Sequence, residues 1–300
     1  MRHFSSGTLV PWDYGILQSG IMEEGMEAYT DFAYVYDTFM DDTPYAEWCE
    51  FIKKMIMEHG ISRPVRTEDV LDSEKNLVLD LGCGTGTLTE LMADAGFDMI
   101  GIDNSTDMLE LAIEKRQQSG HDILYLLQDM REFELYSTVG TVISVCDSLN
   151  YMLSEEDMLQ VFKLVNNYLF PGGIFLFDFN TVYKYAEVIG DATIAENREE
   201  CSFIWENYYH PDEEINEYEV TVFVREGFLE DAGKSQDENK DCYRKFSETH
   251  FQRGYTVEQV VRLLETAGLR AECILDADNR GKVSAESERV FVMARKERKL

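Results

Sequence analysis

From residue 76 to residue 179, short and mostly apolar runs alternate with stretches whose apolar positions recur every three or four residues. Such runs predict buried parallel strands at 77–81, 99–103, 123–127, 141–146 and 174–179, because a strand covered on both faces has no polar side to show. Leu88, Leu91, Met92 and Ala95 share one helical face that Gly96 ends. Met108, Leu109, Ala112 and Ile113 form a second, opened by Ser105 and closed by Gly120, and a third starts at Ser154 and Asp157 and runs to the Pro171, Gly172, Gly173 break. Upstream, Thr43 and Pro44 read as N-cap and first residue of a helix carrying Tyr45, Trp48, Phe51, Ile52, Met55 and Ile56 up to Gly60. Tyr29, Phe32, Ala33, Tyr36, Phe39 and Met40 also keep helical spacing, which suits core and site equally.

After residue 200 the period drops to two, in Phe203, Trp205, Asn207 and Tyr209 and again in Tyr218, Val220, Val222 and Val224. This predicts antiparallel strands joined by the turn at 210–214, with a loop at 230–241 before a third strand at 243–252. Thr256 and Gln259 form a capping box for a helix ending at Gly268, and strands at 271–275 and 289–294 complete a seven-stranded sheet with one antiparallel edge member. The fold class is therefore α/β, a Rossmann-like and mostly parallel sheet with helices on both faces and an antiparallel β insert. Residues 1–26 read as an irregular arm, 27–199 and 255–300 as the main domain, and 200–254 as the insert.

The turn after the first strand carries the chemistry. Residues 78–86 read Val-Leu-Asp-Leu-Gly-Cys-Gly-Thr-Gly, so Gly82, Gly84 and Gly86 let a ligand approach the backbone, with Asp80 two residues before them. A dinucleotide fingerprint would need its third glycine where Thr87 stands, and residues 76–114 hold eight acids and no Lys or Arg, which repels a pyrophosphate. S-adenosylmethionine suits the same place, since it has no phosphate and brings a sulfonium and an ammonium to face Asp80. Asp103 ends the second strand, where a βαβ unit places an acid for ribose hydroxyls.

These residues resemble motif I and the downstream acid of class I S-adenosylmethionine-dependent methyltransferases. The resemblance implies S-adenosylmethionine as cofactor, S-adenosylhomocysteine as product, and a cofactor site built from Asp80, Gly82, Cys83, Gly84 and Gly86, then Asp103 and Asn104. It implies further that Asp129 bonds the adenine amine, that Gln128 and Met130 flank it, that Met108 covers the other ring face, and that Cys146 follows the fourth strand. A longer similarity takes in the aromatic segment before Tyr45 and Trp48, residues 147–151, and Glu248, His250, Arg253 and Tyr255. It covers roughly residues 27 to 296 and resembles bacterial small-molecule methyltransferases akin to amino-sugar N,N-dimethyltransferases. From it, Tyr36, Met40 and Tyr45 close over the methionine end of the cofactor, and residues 200–254 form a lid over the acceptor. The sugar enzymes carry His where this chain has Tyr151, so the acceptor differs in at least that contact.

Fifty-eight acids against 27 bases give a net charge of −31, which sets a repulsive field against nucleic acid and anionic membranes. Neither an (Asn/Asp)-Pro-Pro-(Tyr/Phe) nor a Pro-Cys sequence follows the fourth strand, so base-methylating chemistry has no carrier and a small-molecule acceptor is favoured. The six cysteines are widely spaced and without ligand partners, which argues against a metal site and a disulfide framework. With neither a long apolar run nor a leader pattern, the expectation is a cytoplasmic protein, monomer or homodimer. The reading is transfer of a methyl group to N or O of a small molecule by in-line displacement. Tyr151, Asp147 and His250 are candidate bases, and Tyr151 and His250 are taken as the catalytic pair. An NAD(P)-dependent oxidoreductase and a non-catalytic nucleoside-binding domain are the alternatives.

Overall fold

The structure, a computed structural model, describes residues 33–41, 43–64, 74–225 and 242–296. The N-terminal arm, Tyr29, Phe32 and the 230–241 segment lie outside the described residues.

Two helices, α1 (Ala33–Phe39) and α2 (Tyr45–His59), precede the sheet. Then follow β1 (Leu77–Leu81), α3 (Thr87–Asp94), β2 (Asp98–Asp103), α4 (Thr106–Ser119), β3 (Leu124–Leu127), β4 (Val139–Ser144), a 3₁₀ turn (Ser148–Tyr151), α5 (Glu155–Tyr168) and β5 (Leu169–Asn180). A π-helical turn (Lys184–Ile189) leads into β6 (Thr193–Asn197), β7 (Cys201–His210), β8 (Ile215–Arg225) and β9 (Tyr243–Arg253). The chain returns through α6 (Val257–Thr266), β10 (Leu269–Asp276) and β11 (Arg289–Lys296).

The main sheet has the order β10-β11-β5-β4-β1-β2-β3. Its antiparallel member is β11, which stands between β10 and β5 rather than at the edge the sequence suggested. The chain leaves β1 toward β2 and β3 and then crosses back to β4, so a crevice opens beyond the carboxyl ends of β1 and β4. Strand alternation divides the core. Leu79, Leu81, Phe175, Phe177 and Phe179 face α5 and α6, while Val78, Ile174 and Leu176 face α2 and α3. Each of these side chains is fully buried and contributes about 1.5–3 kcal/mol by leaving water.

The caps follow the sequence. Ser105 accepts from the Met108 amide at 3.2 Å, Ser154 from Asp157 at 3.1 Å, and Thr256 with Gln259 closes a capping box. Three details depart from it. Helix α2 starts at Tyr45 with Pro44 at the N-cap, because the Thr43 hydroxyl is spent on Met40 Sδ, 3.7 Å away. Pro171, Gly172 and Gly173 lie within β5 as a register shift against β4 rather than as a helix stop. The inserted sheet, in the order β6-β7-β8-β9, begins at 193 and not 200, because β6 is mostly exposed and shows no apolar alternation.

That second sheet packs on α1: Val35 and Phe39 join Cys201, Phe203, Val220, Val222 and Val224, with the Phe39 and Phe203 rings 4.8 Å apart. Buried Asn150 ties it to the main sheet. Its amide donates to the carbonyls of Asn180 (2.9 Å) and Arg253 (2.6 Å), and its carbonyl accepts from the Asn180 amide (2.9 Å).

Candidate active site

A cavity of about 220 Å³ fills the crevice beyond β1 and β4. Of the residues singled out from the sequence, Tyr36, Tyr45, Asp80, Gly82, Cys83, Gly84, Asp103, Asn104, Met108, Gln128, Asp129, Met130, Cys146 and Tyr151 line it. Met40 lines a neighbouring cavity, and neither Gly86 nor His250 reaches this one.

The three glycines have different jobs. All hold positive φ: 80° at Gly82, 53° at Gly84 and 74° at Gly86. A Cβ on Gly82 would meet Ser148 Cβ at 2.7 Å, and one on Gly86 would meet the Tyr125 hydroxyl at 2.5 Å, so these two are needed for packing. A Cβ on Gly84 would meet no protein atom within 4 Å and would project into open space, so the backbone at Gly84 is open to close approach.

Asp103 holds this turn in place. Its carboxylate is largely buried and accepts from the Gly84 amide at 2.8 Å and the Ser105 amide at 2.9 Å. Burial raises its pKa above the usual carboxylate value, and the backbone donors pull the other way. The amide that a pyrophosphate would claim is thus already bonded to an acid, which disfavours the dinucleotide alternative. Asp80 is 2% exposed and accepts from the Thr89 hydroxyl at 2.6 Å. Burial pushes its carboxyl up to about 7; the Thr89 bond lowers it, and Asp103 raises it further. An acid so placed favours a cationic partner, which would restore its ionised form.

Asp129 both lines the cavity and makes a turn, accepting from the Arg131 amide at 2.8 Å and from its guanidinium at 2.5–3.1 Å. Burial raises its carboxyl, and the Arg131 contacts more than reverse this, leaving it below the usual range. Tyr45 contacts Tyr36 and Cys146, and burial raises both the Tyr45 hydroxyl and the Cys146 thiol, keeping them neutral. Cys146 and Asp147 hold φ of 60° and 52°, a sharp bend that turns the chain along the cavity wall.

Sequence reasoning missed several groups. Thr85, Thr87, Arg131, Ser148 and Met152 also line the cavity. Lys115 lies one residue beyond the stretch free of bases, yet α4 brings its ammonium back to Thr87 (2.7 Å), Thr85 (2.9 Å) and Asp37 (2.6 Å). Asp37 also accepts from Thr85 at 2.7 Å, so α1 is clamped onto the glycine turn by a pair whose charges cancel.

Tyr151 is backed by a buried polar chain. Its hydroxyl lies 2.9 Å from the Tyr218 hydroxyl and 3.1 Å from His250 Nδ1, while His250 Nε2 lies 3.4 Å from Glu248. The Tyr218 and His250 rings stack at 5.0 Å. His250 is 2% exposed and stands behind Tyr151, so it touches the cavity only through that hydroxyl. On the same face of β9, Gln252 donates to Asp147 at 2.8 Å. Among the described residues the inserted sheet lines neither cavity, and it braces their walls from behind through Tyr218, His250 and Gln252.

The neighbouring cavity, about 380 Å³, shares Val145 and Cys146 with the first. Arg289 crosses its floor and bonds Asp147 at 2.8 Å and Asp178 at 3.2 Å. Among the described residues no helix is long and apolar enough to cross a membrane, and no group of three His, Cys, Asp or Glu could hold a metal ion.

Comparison with known proteins agrees with this geometry. A family model described as a methyltransferase domain matches residues 78–173. The chain is 34% identical over 269 residues to YqeM of Bacillus subtilis (strain 168), which is named as a methyltransferase, across 89% of this chain and 97% of that one. The crystal structure of an S-adenosylmethionine-dependent methyltransferase from Clostridium acetobutylicum ATCC 824 superposes with a TM-score of 0.73 at 26% identity, over 89% of this chain and 98% of the other. The sugar N-methyltransferase KedS8 from Streptoalloteichus sp ATCC 53650 shares the fold, with a TM-score of 0.66 at 16% identity over 98% and 99% of the two chains. With the glycine turn, the buried acids and the strand order already in place, this chain belongs to the class I S-adenosylmethionine-dependent methyltransferases, and S-adenosylmethionine is its cofactor.

Proposed function

We propose that the protein moves a methyl group from S-adenosylmethionine to a nitrogen or oxygen of a small molecule by in-line displacement. The observation that carries this reading is the pair of cavities meeting at Val145 and Cys146, one shaped by the glycine turn and one charged and walled by aromatic rings. A domain that only held the nucleoside would have no use for the second.

Bound at the first cavity, the cofactor supplies an electrophilic methyl carbon. Gly84 would take its close approach, Asp103 and Asn104 its ribose, Asp129 with Met108 and Met130 its adenine, and Asp80 with Tyr36 and Tyr45 its charged methionine end. Most of the rate would come from holding two reactants in contact away from water, so a strong base is not required. For an amine bound neutral, no proton acceptor is needed before attack. For a hydroxyl, Tyr151 in the wall of the cofactor cavity would take the proton at the junction of the two cavities, with a route through His250 toward Glu248. His250 is accordingly a positioning residue and Tyr151 the catalytic one.

The test is incubation with labelled methyl donor and a panel of small amines and hydroxy compounds, with calorimetry of cofactor binding alongside. Transfer to any member supports the reading. Tight cofactor binding with no transfer to any class would favour a nucleoside-binding domain instead.

A further inference from the structure

The second cavity combines aromatic walls with three cations and four acids, and its cations are unequally paired. The chain has 58 acids to 27 bases, yet Lys184, Arg280 and Arg289 converge here. Arg289 is fully engaged, by Asp147, Asp178 and the Asn180 side chain (3.3 Å). Asp147 is further bonded by Gln252, and Asp178 accepts from the Asp147 amide at 2.9 Å, so these acids act on Lys184 and Arg280 through space and not by a direct ion pair. Lys184 has three N–H donors and, among the described residues, one hydrogen bond, to Asn180 at 3.0 Å. The Arg280 guanidinium makes no hydrogen bond or ion pair among the described residues and lies over the Phe51 ring at 4.0 Å.

Both cations are set in place by unusual backbone. Lys184 opens the π-helical turn, a distortion that recurs at functional sites. Arg280 has a φ of 60°, a left-handed conformation that is costly for a residue with a side chain. Its turn is braced by Asp276, which accepts from the amides of Asp278 and Asn279 (both 3.1 Å) and from the Ser287 hydroxyl (2.6 Å). Of the remaining acids, Asp278 is exposed to water and acts on Arg280, and half-buried Glu288 acts on Lys184, so a bound anion would have to compete with both. Trp48, Phe51 and Phe291 supply flat apolar surface for its body.

We propose that this cavity binds the methyl acceptor by an oxyanion, a carboxylate or a phosphate, which Arg280 and Lys184 hold while the nucleophile faces Cys146. This rests on the methyltransferase reading and names the chemical class of its acceptor.

The experiment is calorimetry on the full chain saturated with S-adenosylhomocysteine, titrated with benzoate, phenyl phosphate and neutral benzyl alcohol. At least one anion should bind at least tenfold more tightly than the alcohol; benzoate alone selects a carboxylate, phenyl phosphate alone a phosphate. Arg280→Ala should weaken the anion by about 10- to 100-fold, with Arg280→Lys between the two, and Lys184→Met should act in the same direction. Three results overturn the proposal: neither anion binding, the alcohol binding equally well, or an anion indifferent to Arg280→Ala. An anion that displaces S-adenosylhomocysteine, or an Arg280→Ala that weakens S-adenosylhomocysteine itself, overturns it too, since the cation would then serve the cofactor. A wild-type chain that fails to bind S-adenosylhomocysteine instead removes the methyltransferase reading beneath it.

Discussion

Replacing Asp80 by Asn tests the electrostatics of the cofactor cavity most directly, because the amide keeps the shape and removes the charge. The rise of the Asp80 carboxyl from 3.8 to about 7 means that ionising it in the empty cavity costs about 4 kcal/mol more than in water. Below pH 7 the empty protein therefore holds a proton there that a bound cation must expel. Affinity for S-adenosylmethionine should be flat above pH 7 and fall by up to about tenfold per unit below it. Stability without cofactor runs the other way. In the unfolded chain Asp80 ionises near 3.9, so its contribution is complete below about pH 4 and is lost as pH rises through about 7. Calorimetry from pH 5.5 to 8.5, with thermal melts over the same range, reads both. In Asp80→Asn the affinity slope and the matching drop in melting temperature should vanish. A wild-type affinity unchanged between pH 6 and 8 would refute the argument. A slope that survives in Asp80→Asn would move it to Asp103, the other buried acid of the cavity whose pKa is raised.

Gly84→Ala and Gly86→Ala should separate ligand space from packing space. The first should cost about 1–2 kcal/mol of stability, from its positive φ, and should strongly weaken cofactor binding; the second should lose about 1–3 kcal/mol more in denaturant melts, through its clash with Tyr125. Arg289→Met leaves Asp147 and Asp178 without their shared cation and should destabilise the fold by about 3–5 kcal/mol, measured in urea. Tyr151→Phe should lower kcat for a hydroxyl acceptor by about 100-fold and for an amine much less. His250→Asn should shift the pH profile of the hydroxyl reaction while changing KM little; equal losses for both acceptor classes would count against a proton path.

What was legible in the chain was local. Asp80, the glycine turn, Asp103 and the caps at Ser105 and Thr256 each lie within a few residues of what they act on, so spacing alone describes them. The central strands were legible because burial on both faces writes a mostly apolar run, broken only by a few polar residues such as Asp80 and Asp178. Illegible were contacts made by distant chain segments. Arg289 and Asp147 are 142 residues apart, and Tyr151 and His250 are 99 apart, with no pattern linking them. Strand β6 escaped because exposed strands carry no alternation, and the fitting of Pro171, Gly172 and Gly173 into β5 escaped because a bulge uses the same residues as a helix stop. The division of labour among the three glycines depends on Ser148 and Tyr125, which no motif could supply.

One strand joins the two halves of the molecule in a way that bears on how such enzymes diversify. Glu248, His250 and Gln252 alternate along β9, so a single pleat supports Tyr151 at one cavity and Asp147 at the other. A slip of one residue in the pairing of β9 with β8 would turn all three away together, while Gly84 of the glycine turn is held by Asp103 of the main sheet and has no bond to β9. An exchanged insert would therefore reach both cavities only at second hand, through Tyr151 and Asp147, and would leave Arg280, Lys184 and the glycine turn where they are.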